Sequence, residues 1–335
     1  MIRPTLNRFA ILAAAAVLAA SAAPATAQTP LVTVSPEDLL ANGRVTSFDG
    51  TRDIGGGRLV SWNGQYAAVS DGQIWYEVIG DLGSGKTPVL VLHGAFMSID
   101  TMRPLTDLMT DRPLIIVDQR GHGRTGDLPG PITYEALADD AAAVLAAAGV
   151  PKADVVGYSM GAGAALQLAL RHPDRVDHLV VASVSFNEAG NLPGFTQQMD
   201  GITPEIFAGT PMEAEFKRLA PNPDAFPSVV NKIKVMDRGQ DWPAEQIRAL
   251  TSPTFIIVGD HDIVRPEHAV ELYRLRGGGD TARASQPFLT EAPPARLAIL
   301  PASSHVEVFG DPVLLAAMIL PFLDDRTRPP PPGFF

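Results

Sequence analysis

The chain has 335 residues, of which 46% are hydrophobic and 19% charged, a composition typical of a globular protein with a large buried core. Its 26 basic and 37 acidic residues give a formal net charge of −11. This charge argues against nucleic acid as a main partner, because phosphate binding needs clustered Lys and Arg. The chain contains no cysteine, which excludes disulfides, cysteine-ligated zinc, iron–sulfur clusters, a cysteine nucleophile and a lipidated N-terminal cysteine.

The N-terminus has the three-part pattern of a secretory signal peptide. Arg3 and Arg8 precede an apolar run over residues 9–20, and Ala25-Thr26-Ala27 follows as a small-residue cleavage site. The alternative, a membrane anchor, is disfavoured because a run of 12 residues is too short for a bilayer core that needs about 20. We therefore predict a signal peptide over residues 1–27, cleaved after Ala27, and a mature protein without a membrane span in the periplasm or outside the cell.

The next segments predict an antiparallel edge of a sheet. Residues 28–56 are polar and turn-rich with no clear period, so we expect an irregular N-terminal extension. Two β-type runs follow, Gln65–Val69 and Gln73–Val78. Asp71-Gly72 lies between them and is typical of a hairpin turn.

Short, continuously apolar runs then alternate with helical segments. Such runs are typical of strands that are buried on both faces, as in a parallel sheet covered by helices. The predicted strands are Pro88–Leu92, Pro113–Val117, Asp154–Gly157, Leu179–Ser183, Thr254–Val258 and Arg296–Leu300. The predicted helices are Tyr134–Ala148, Met160–His172, Glu267–Leu275 and Pro312–Leu323. This alternation predicts an α/β fold with a mostly parallel sheet, built from residues 57–185 and 251–327.

Residues 186–250 interrupt the alternation. They separate two consecutive core strands and carry several aromatic and methionine residues. A connection of this length favours a helical cap, inserted over one end of the sheet, over the alternative of crossover helices joined by a long loop. Residues 277–294 form a second irregular stretch, and the Pro-rich tail, 328–335, is expected to be extended.

The segment Gly157-Tyr158-Ser159-Met160-Gly161 is a G-x-S-x-G motif between a predicted strand and a predicted helix. In this context the motif presents a nucleophilic serine on a sharp turn. Gly157 and Gly161 leave room where the backbone segments converge, and the helix N-terminus places partial positive charge beside Ser159. This context favours a nucleophile over a purely structural turn, so we predict that Ser159 is the nucleophile.

A serine nucleophile needs a base, and the sequence offers seven histidines. His305 follows the last predicted core strand, which places it at the same sheet edge as Ser159, where ligands gather in such folds. His93 and His122 follow the first two core strands and are expected to shape loops. We therefore predict His305 as the base.

The base needs a carboxylate to orient it, and Asp260 and Asp262 both follow the strand Thr254–Val258. Asp260 is a plausible turn residue. Asp262 lies further into the loop, where its side chain can reach back to His305, and it is the favoured acid. The resulting chain order of Ser, Asp and His is the order found in α/β-hydrolases.

The oxyanion of a tetrahedral intermediate needs two N–H donors. We predict that these are the amide of Met160, directly after the nucleophile, and the amide of Ala95, in the loop after the first core strand. No cofactor or metal is predicted: His261, Asp262 and His268 could imitate a ligand set, but an acid role for Asp262 is the simpler explanation. The glycine runs of the chain lack a P-loop lysine and its strand–helix context.

Four motifs in chain order resemble those of the α/β-hydrolase superfamily, in its capped branch of serine esterases, enol-lactone hydrolases, haloperoxidase-like enzymes and C–C bond hydrolases. The resemblance covers about Gln73–Asp324 and is weak for any single activity. It implies that Asp262 is the acid of a G-x-x-D pattern. The chain lacks the HGGG of many lipases and the HG-x-P-G of iminopeptidases, and it has Ser where epoxide hydrolases and haloalkane dehalogenases have Asp. The motifs are His93-Gly94-Ala95-Phe96, Asp118–Thr125, Gly157–Ala162, and Gly259–Asp262 with His305.

The sequence thus predicts an exported serine hydrolase that cleaves carboxylic esters, with lactones as a related substrate class. A small hydrophobic substrate is expected to bind beneath the cap. Amide cleavage and C–C bond hydrolysis are alternatives that use the same three residues, and a non-catalytic ligand-binding protein is the alternative of another class. Neither nucleic acid nor a membrane span is expected, and the sequence defines no oligomeric state.

Overall fold

A computed structural model describes residues 47–53, 59–236, 238–329 and 332. Nine strands form one sheet in the spatial order β1-β2-β3-β5-β4-β6-β7-β8-β9. The strands are β1 Ser47–Asp53, β2 Leu59–Val69, β3 Gly72–Ile79, β4 Val89–Leu92, β5 Leu114–Asp118, β6 Ala153–Tyr158, β7 Val176–Ala182, β8 Thr254–His261 and β9 Ala295–Ser304. The predicted signal peptide and most of the Pro-rich tail lie outside the described residues.

The sheet is mostly parallel, which confirms the predicted fold class. Strands β4 to β9 pair in parallel with one another, while β1, β2 and β3 pair antiparallel and join this part through β5. Every residue of β4 and β5 is buried. These strands are therefore covered on both faces, which explains why their sequences are continuously apolar.

The N-terminal edge differs from the prediction of an irregular extension over residues 28–56. Residues 47–53 form strand β1, which pairs along its whole length with β2. Backbone pairing needs no alternation of apolar and polar side chains at the edge of a sheet, so the sequence pattern carried no signal for it. The hairpin between β2 and β3 turns at Ser70-Asp71, one residue earlier than predicted, because Val69 pairs with Gly72.

Helices cover both faces of the sheet. Buried side chains of α2, α3 and α8 join one apolar cluster, and those of α1 and α10 join another on the opposite face. No helix among the described ranges is both long and apolar enough to span a bilayer. The helices are α1 Ile99–Thr106, α2 Tyr134–Ala147, α3 Met160–Arg171, α4 Phe195–Asp200, α5 Pro211–Leu219, α6 Phe226–Ile233, α7 Ala244–Ala249, α8 Pro266–Leu275, α9 Thr281–Ala284 and α10 Pro312–Leu323.

The segment 186–250 contains helices α4 to α7 and short 3₁₀ turns, and its described residues include no strand. Two ion pairs connect it to the sheet domain. Arg218 lies 2.8 Å from Asp100 at the start of α1, and Lys232 lies 2.6 Å from Asp127. These contacts hold α5 against α1, and α6 against the loop that follows β5.

A polar cluster lies where β6 and β7 begin, at the amino ends of the parallel strands. His178 Nδ1 is 2.8 Å from a carboxylate oxygen of Asp154, and its Nε2 is 3.2 Å from Asp325, which follows α10. Both ring nitrogens therefore face carboxylates, an arrangement that suits the protonated imidazole. Burial acts against the charged ring, but the hydrogen bonds of Asp154 and Asp325 raise the pKa of His178 above its ordinary value.

Candidate active site

Ser159 lies on the tight turn between β6 and α3. Its φ of 52° and ψ of −119° place it in a region that residues other than glycine rarely adopt. The Ser159 amide donates a 2.8 Å hydrogen bond to the carbonyl of Ala182 at the end of β7. This bond holds the strained turn, as expected where a backbone keeps an unfavourable conformation for function.

The two glycines of the motif are required by close backbone contacts. A Cβ atom on Gly157 would lie 2.3 Å from the carbonyl oxygen of Gly161. A Cβ atom on Gly161 would lie 2.2 Å from the carbonyl oxygen of Leu92 in β4. No side chain fits at either position, so the structure supplies the steric reason that the sequence suggested for these glycines.

His305 follows β9 directly and reaches Ser159. Its Nε2 lies 2.8 Å from Ser159 Oγ, and its Nδ1 lies 2.7 Å from Asp262 Oδ1. An ionised carboxylate can only accept, so Nδ1 carries the proton and Nε2 accepts from the serine hydroxyl. The His305 side chain is 19% exposed, whereas the Asp262 side chain is fully buried. The structure therefore brings the three predicted residues together in one chain of hydrogen bonds.

Asp262 receives hydrogen bonds at both carboxylate oxygens. Oδ1 accepts from His305 and, at 3.1 Å, from the Val264 amide. Oδ2 accepts from the Ser183 hydroxyl at 2.6 Å and from the Gly259 amide at 3.4 Å. Burial alone would raise the pKa of Asp262, but the bonds from His305 and Ser183 lower it below its ordinary value. The carboxylate is therefore ionised at neutral pH.

Asp260, the competing candidate, has a different place. It is solvent-exposed and accepts from the amides of Ala302 and Ser303, at 2.9 Å and 3.0 Å, while His261 lies 2.8 Å away. The hydrogen bond from His261 and these two amides lower the pKa of Asp260 to about 2. This carboxylate holds the end of β9 in position and does not reach His305, so the geometry favours Asp262 as the orienting acid.

The residues that could imitate a metal site have separate partners. His261 is exposed and pairs with Asp260, whereas Asp262 pairs with His305. His268 is buried and stacks on the ring of Phe186, with ring centroids 4.1 Å apart. Its Nε2 accepts from the Phe186 amide. The three side chains therefore do not converge on one point.

His93 and His122 act as backbone braces in the loops after β4 and β5. His93 Nε2 accepts from the Gln119 amide at 3.1 Å, and His122 Nε2 accepts from the Phe96 amide at 2.9 Å. Each Nδ1 faces a backbone carbonyl, so both rings are neutral. Burial lowers the pKa of His93 to about 4 and that of His122 to about 3. Both residues shape loops, as their sequence positions suggested.

The expected oxyanion donors are the Ala95 amide, in the loop after β4, and the Met160 amide, at the start of α3. Among the described residues, no acceptor pairs with the Ala95 amide or the Met160 amide. The neighbouring Phe96 amide is occupied by His122, and Phe96 itself has a φ of 60°. The turn at Phe96 is thus locked in place, which leaves the Ala95 amide as the available donor of this loop.

Tyr158 supports His305 through its hydroxyl and its ring, a contact that the sequence does not predict. Its hydroxyl donates a 2.8 Å hydrogen bond to the His305 carbonyl. Its ring lies 5.6 Å from the His305 ring, centroid to centroid, and also packs on Phe309. The motif assigns this position only a variable residue, so no local signal pointed to the contact.

Two cavities lie near the helical segment, and neither is lined by Ser159, Asp262 or His305. A cavity of about 10 Å³, room for one water molecule, lies between residues 96–98 and helices α5 and α6. An open groove of about 380 Å³ lies between residues 131–135 and 232–242. Over the loop after β4, Phe96 packs against Phe207, with ring centroids 4.6 Å apart. Aromatic side chains therefore fill much of the space under the predicted cap.

Comparison with known proteins agrees with this architecture. A family model described as the alpha/beta hydrolase fold matches residues 87–228, a range that includes the turn at Ser159 but ends before Asp262 and His305. An α/β hydrolase named MGS-M2, from a Medee basin deep-sea metagenome library, superposes with a TM-score of 0.61 at 17% identity, over 80% of this chain and 100% of its own. The chain therefore has the α/β-hydrolase fold. The enol-lactonase of Burkholderia xenovorans LB400 has the same fold, with a TM-score of 0.57 and 18% identity over 77% of this chain and 99% of its own.

Curated relatives match a shorter part of this chain. The putative carbamate hydrolase RutD of Caulobacter segnis is 40% identical over 113 residues, which is 33% of this chain and 42% of the relative. The esterase YbfF of Escherichia coli is 36% identical over 101 residues, which is 30% of this chain and 39% of the relative. The matched segments thus span about two fifths of the curated relatives' own length.

Proposed function

We propose that this protein is a serine hydrolase that cleaves carboxylic esters through Ser159, His305 and Asp262. The observation that carries the proposal is the continuous chain of hydrogen bonds from Ser159 Oγ to His305 and from His305 to the buried Asp262. A nucleophile, a base within hydrogen-bonding distance and a carboxylate that fixes its tautomer are the three parts that nucleophilic catalysis by serine requires.

The reaction begins when Ser159 Oγ attacks the ester carbonyl and His305 Nε2 takes the hydroxyl proton. Asp262 stabilises the resulting imidazolium and holds the ring in place. His305 then donates the proton to the leaving alcohol, which leaves an acyl group on Ser159. Water attacks this acyl-enzyme while His305 again acts as the base, and the acid product departs.

The amides of Met160 and Ala95 supply the two donors for the negative oxygen of the tetrahedral intermediate. Both are without a protein acceptor among the described residues, and they belong to the α3 N-terminus and to a loop locked by His122. Donors that are already in position cost no reorganisation during the reaction. Loss of one such donor typically costs about 3 kcal/mol of transition-state stabilisation.

The substrate class rests on the names of similar proteins and on the aromatic contact between Phe96 and Phe207 beside the loop after β4. The relatives include an esterase and putative carbamate hydrolases, and one structure with the same fold is an enol-lactonase. Hydrolysis of an ester, a carbamate or a lactone begins with attack on a carbonyl carbon. We infer a small hydrophobic ester as the substrate, with a lactone as the second candidate.

Labelling with a fluorophosphonate probe tests the proposal, because such probes react with activated serines. We expect the wild type to label and Ser159→Ala to lose all labelling. Ser252→Ala, which removes a buried serine at the far end of the sheet, is the matched control and should label like the wild type. Absence of labelling in the folded wild type, or equal labelling of Ser159→Ala, contradicts the proposal.

A panel of p-nitrophenyl esters, anilides, carbamates and lactones then defines the substrate class. Hydrolysis that is fastest for short esters supports the ester assignment, and a clear preference for lactones supports the second candidate. Faster cleavage of anilides than of esters refutes both.

We further propose that the protein is exported, with a signal peptide over residues 1–27. The support is the sequence pattern alone: a positive start, an apolar run and the Ala25-Thr26-Ala27 cleavage site. N-terminal sequencing of the protein purified from cells that cleave secretory signal peptides should give a mature chain that begins at Gln28. A mature chain that begins at Met1 refutes export by this route.

A further inference from the structure

We propose that Ser183 is a positioning residue of the active site, which fixes the Asp262 carboxylate and controls how strongly it holds His305. Ser183 Oγ donates a 2.6 Å hydrogen bond to Asp262 Oδ2, the oxygen that His305 does not use. The inference rests on the proposed function, because it assigns Asp262 the role of orienting the base.

The place of Ser183 in the fold suits this task. It follows β7 directly, while Asp262 follows the neighbouring strand β8, so the bond connects the ends of two adjacent strands. The other hydrogen bonds to Asp262 come from His305, from the Gly259 amide in β8 and from the Val264 amide in its own loop. Among these partners, Ser183 is therefore the one that connects the carboxylate to β7.

The backbone of Ser183 supports a specialised role. Its φ is 58°, close to the 52° of Ser159, and positive φ values of this kind favour glycine. Such a conformation costs a residue other than glycine some free energy and persists only where its surroundings enforce it. The Ser183 amide donates a 2.8 Å hydrogen bond to the Ile257 carbonyl, which holds the residue in this conformation. The side chain is then directed at Asp262, and the residue is only 3% exposed.

The hydroxyl shares the negative charge of the carboxylate. A donor at Oδ2 withdraws electron density from the group that accepts the His305 proton at Oδ1, and a second hydrogen bond restricts rotation of the carboxylate plane. Removal of the hydroxyl should therefore have two consequences. The carboxylate attracts the imidazolium more strongly, and its orientation becomes less well defined.

The test compares Ser183→Ala and Ser183→Gly with the wild type, by steady-state kinetics on p-nitrophenyl acetate across the pH range. Both variants lose the hydroxyl, and glycine also relieves the positive φ, so it provides a variant that folds if alanine does not. We expect kcat to fall roughly 10-fold to 100-fold in both, while KM changes by less than about two-fold, as for partners that orient functional side chains elsewhere. The acidic limb of the kcat/KM profile should move to higher pH, because the base is held more firmly in its protonated form.

Ser252→Ala is the matched control. Ser252 is also buried, and its hydroxyl donates to the Val176 carbonyl, so it connects the starts of β7 and β8 as Ser183 connects their ends. Its replacement should lower thermal stability without moving the pH profile. If Ser183→Ala and Ser183→Gly leave the acidic limb and kcat unchanged, or change them only as Ser252→Ala does, the proposal is overturned.

A measurement without turnover separates this inference from the proposed function. The proton on His305 Nδ1 should give a far-downfield resonance in proton NMR, and it should move further downfield in both Ser183 variants as Asp262 becomes the stronger acceptor. That result supports the positioning role even if the wild type hydrolyses no ester, an outcome that would overturn only the proposed function. An unchanged resonance in both variants overturns the positioning role.

Discussion

Replacement of Asp262 by asparagine tests how the carboxylate fixes the tautomer of His305. An asparagine places an NH₂ group at the position of one carboxylate oxygen, and either choice sets this group against a backbone N–H. At Oδ1 it would oppose the Val264 amide, 3.1 Å away, and at Oδ2 the Gly259 amide, 3.4 Å away. We expect it at Oδ2, because the Gly259 hydrogen bond that is broken there is the longer of the two and the Ser183 hydroxyl can rotate to accept.

The expected loss follows from this orientation. With the amide oxygen facing His305, the imidazole keeps its proton on Nδ1, and Nε2 still faces Ser159. Catalysis loses the negative charge of the acceptor, which is worth about 1.5–3 kcal/mol for a hydrogen bond to an ionised group. The predicted fall in kcat for Asp262→Asn is therefore roughly 10-fold to 150-fold. A change to the wrong tautomer would instead cost about 10⁴-fold.

The assay combines kcat on p-nitrophenyl acetate with ¹⁵N NMR of the His305 ring, which identifies the protonated nitrogen. In the double variant Ser183→Ala/Asp262→Asn the amide group has no hydroxyl to bind, so we expect it to turn toward His305 and move the ring proton to Nε2. A fall of about 10⁴-fold for Asp262→Asn alone, or a ring proton on Nε2 in that single variant, refutes this reasoning.

Two further predictions concern stability. Gly161→Ala places a Cβ atom 2.2 Å from the Leu92 carbonyl oxygen, so we expect a loss of about 1–3 kcal/mol in the free energy of unfolding, measured with urea; an unchanged midpoint refutes the clash. His178→Gln removes the ring that binds Asp154 and Asp325. Because the folded state raises the pKa of His178, its stabilisation is fully present below the unfolded value of about 6.5 and is lost as pH rises through the folded value. The free energy of unfolding of the wild type should exceed that of the variant by about 1 kcal/mol at pH 6 and by much less at pH 9. An equal difference at both pH values refutes the assignment.

Much of the site could be predicted because each of its three residues stands next to a recognisable local pattern. Ser159 stands in a five-residue motif with a steric requirement for both glycines, and His305 and Asp262 each follow a strand that is recognisable by its apolar run. Parallel strands end at one edge of a sheet, so their order in the chain was enough to bring the three residues together. Asp262 could be preferred over Asp260 because it lies further into the loop, from where its side chain can reach His305.

Other features carry no local signal. Ser183 is one serine among many, and its role depends on a left-handed backbone and on a neighbour 79 residues away. Helix α1 was missed because it is short and contains Pro104, which usually ends a helix. Its start is instead stabilised by the side chain of Ser98 and by Asp118, which accepts from the Ile99 amide. The Ser98 contact is a local helix cap, whereas the Asp118 contact is tertiary, and no pattern of hydrophobicity reports either of them.

The position of β9 at the end of the sheet has a consequence for how activity is gained and lost. Ser159 and His305 are 146 residues apart, and β9, which ends directly before His305, pairs with β8 alone among the described strands. Contacts of such long sequence separation form late in folding, so activity should return after the bulk of the secondary structure during refolding. An edge strand with one neighbour is also among the elements that can open locally, well below the free energy of global unfolding. On mild heating, hydrolysis should therefore fail while most of the sheet is still intact.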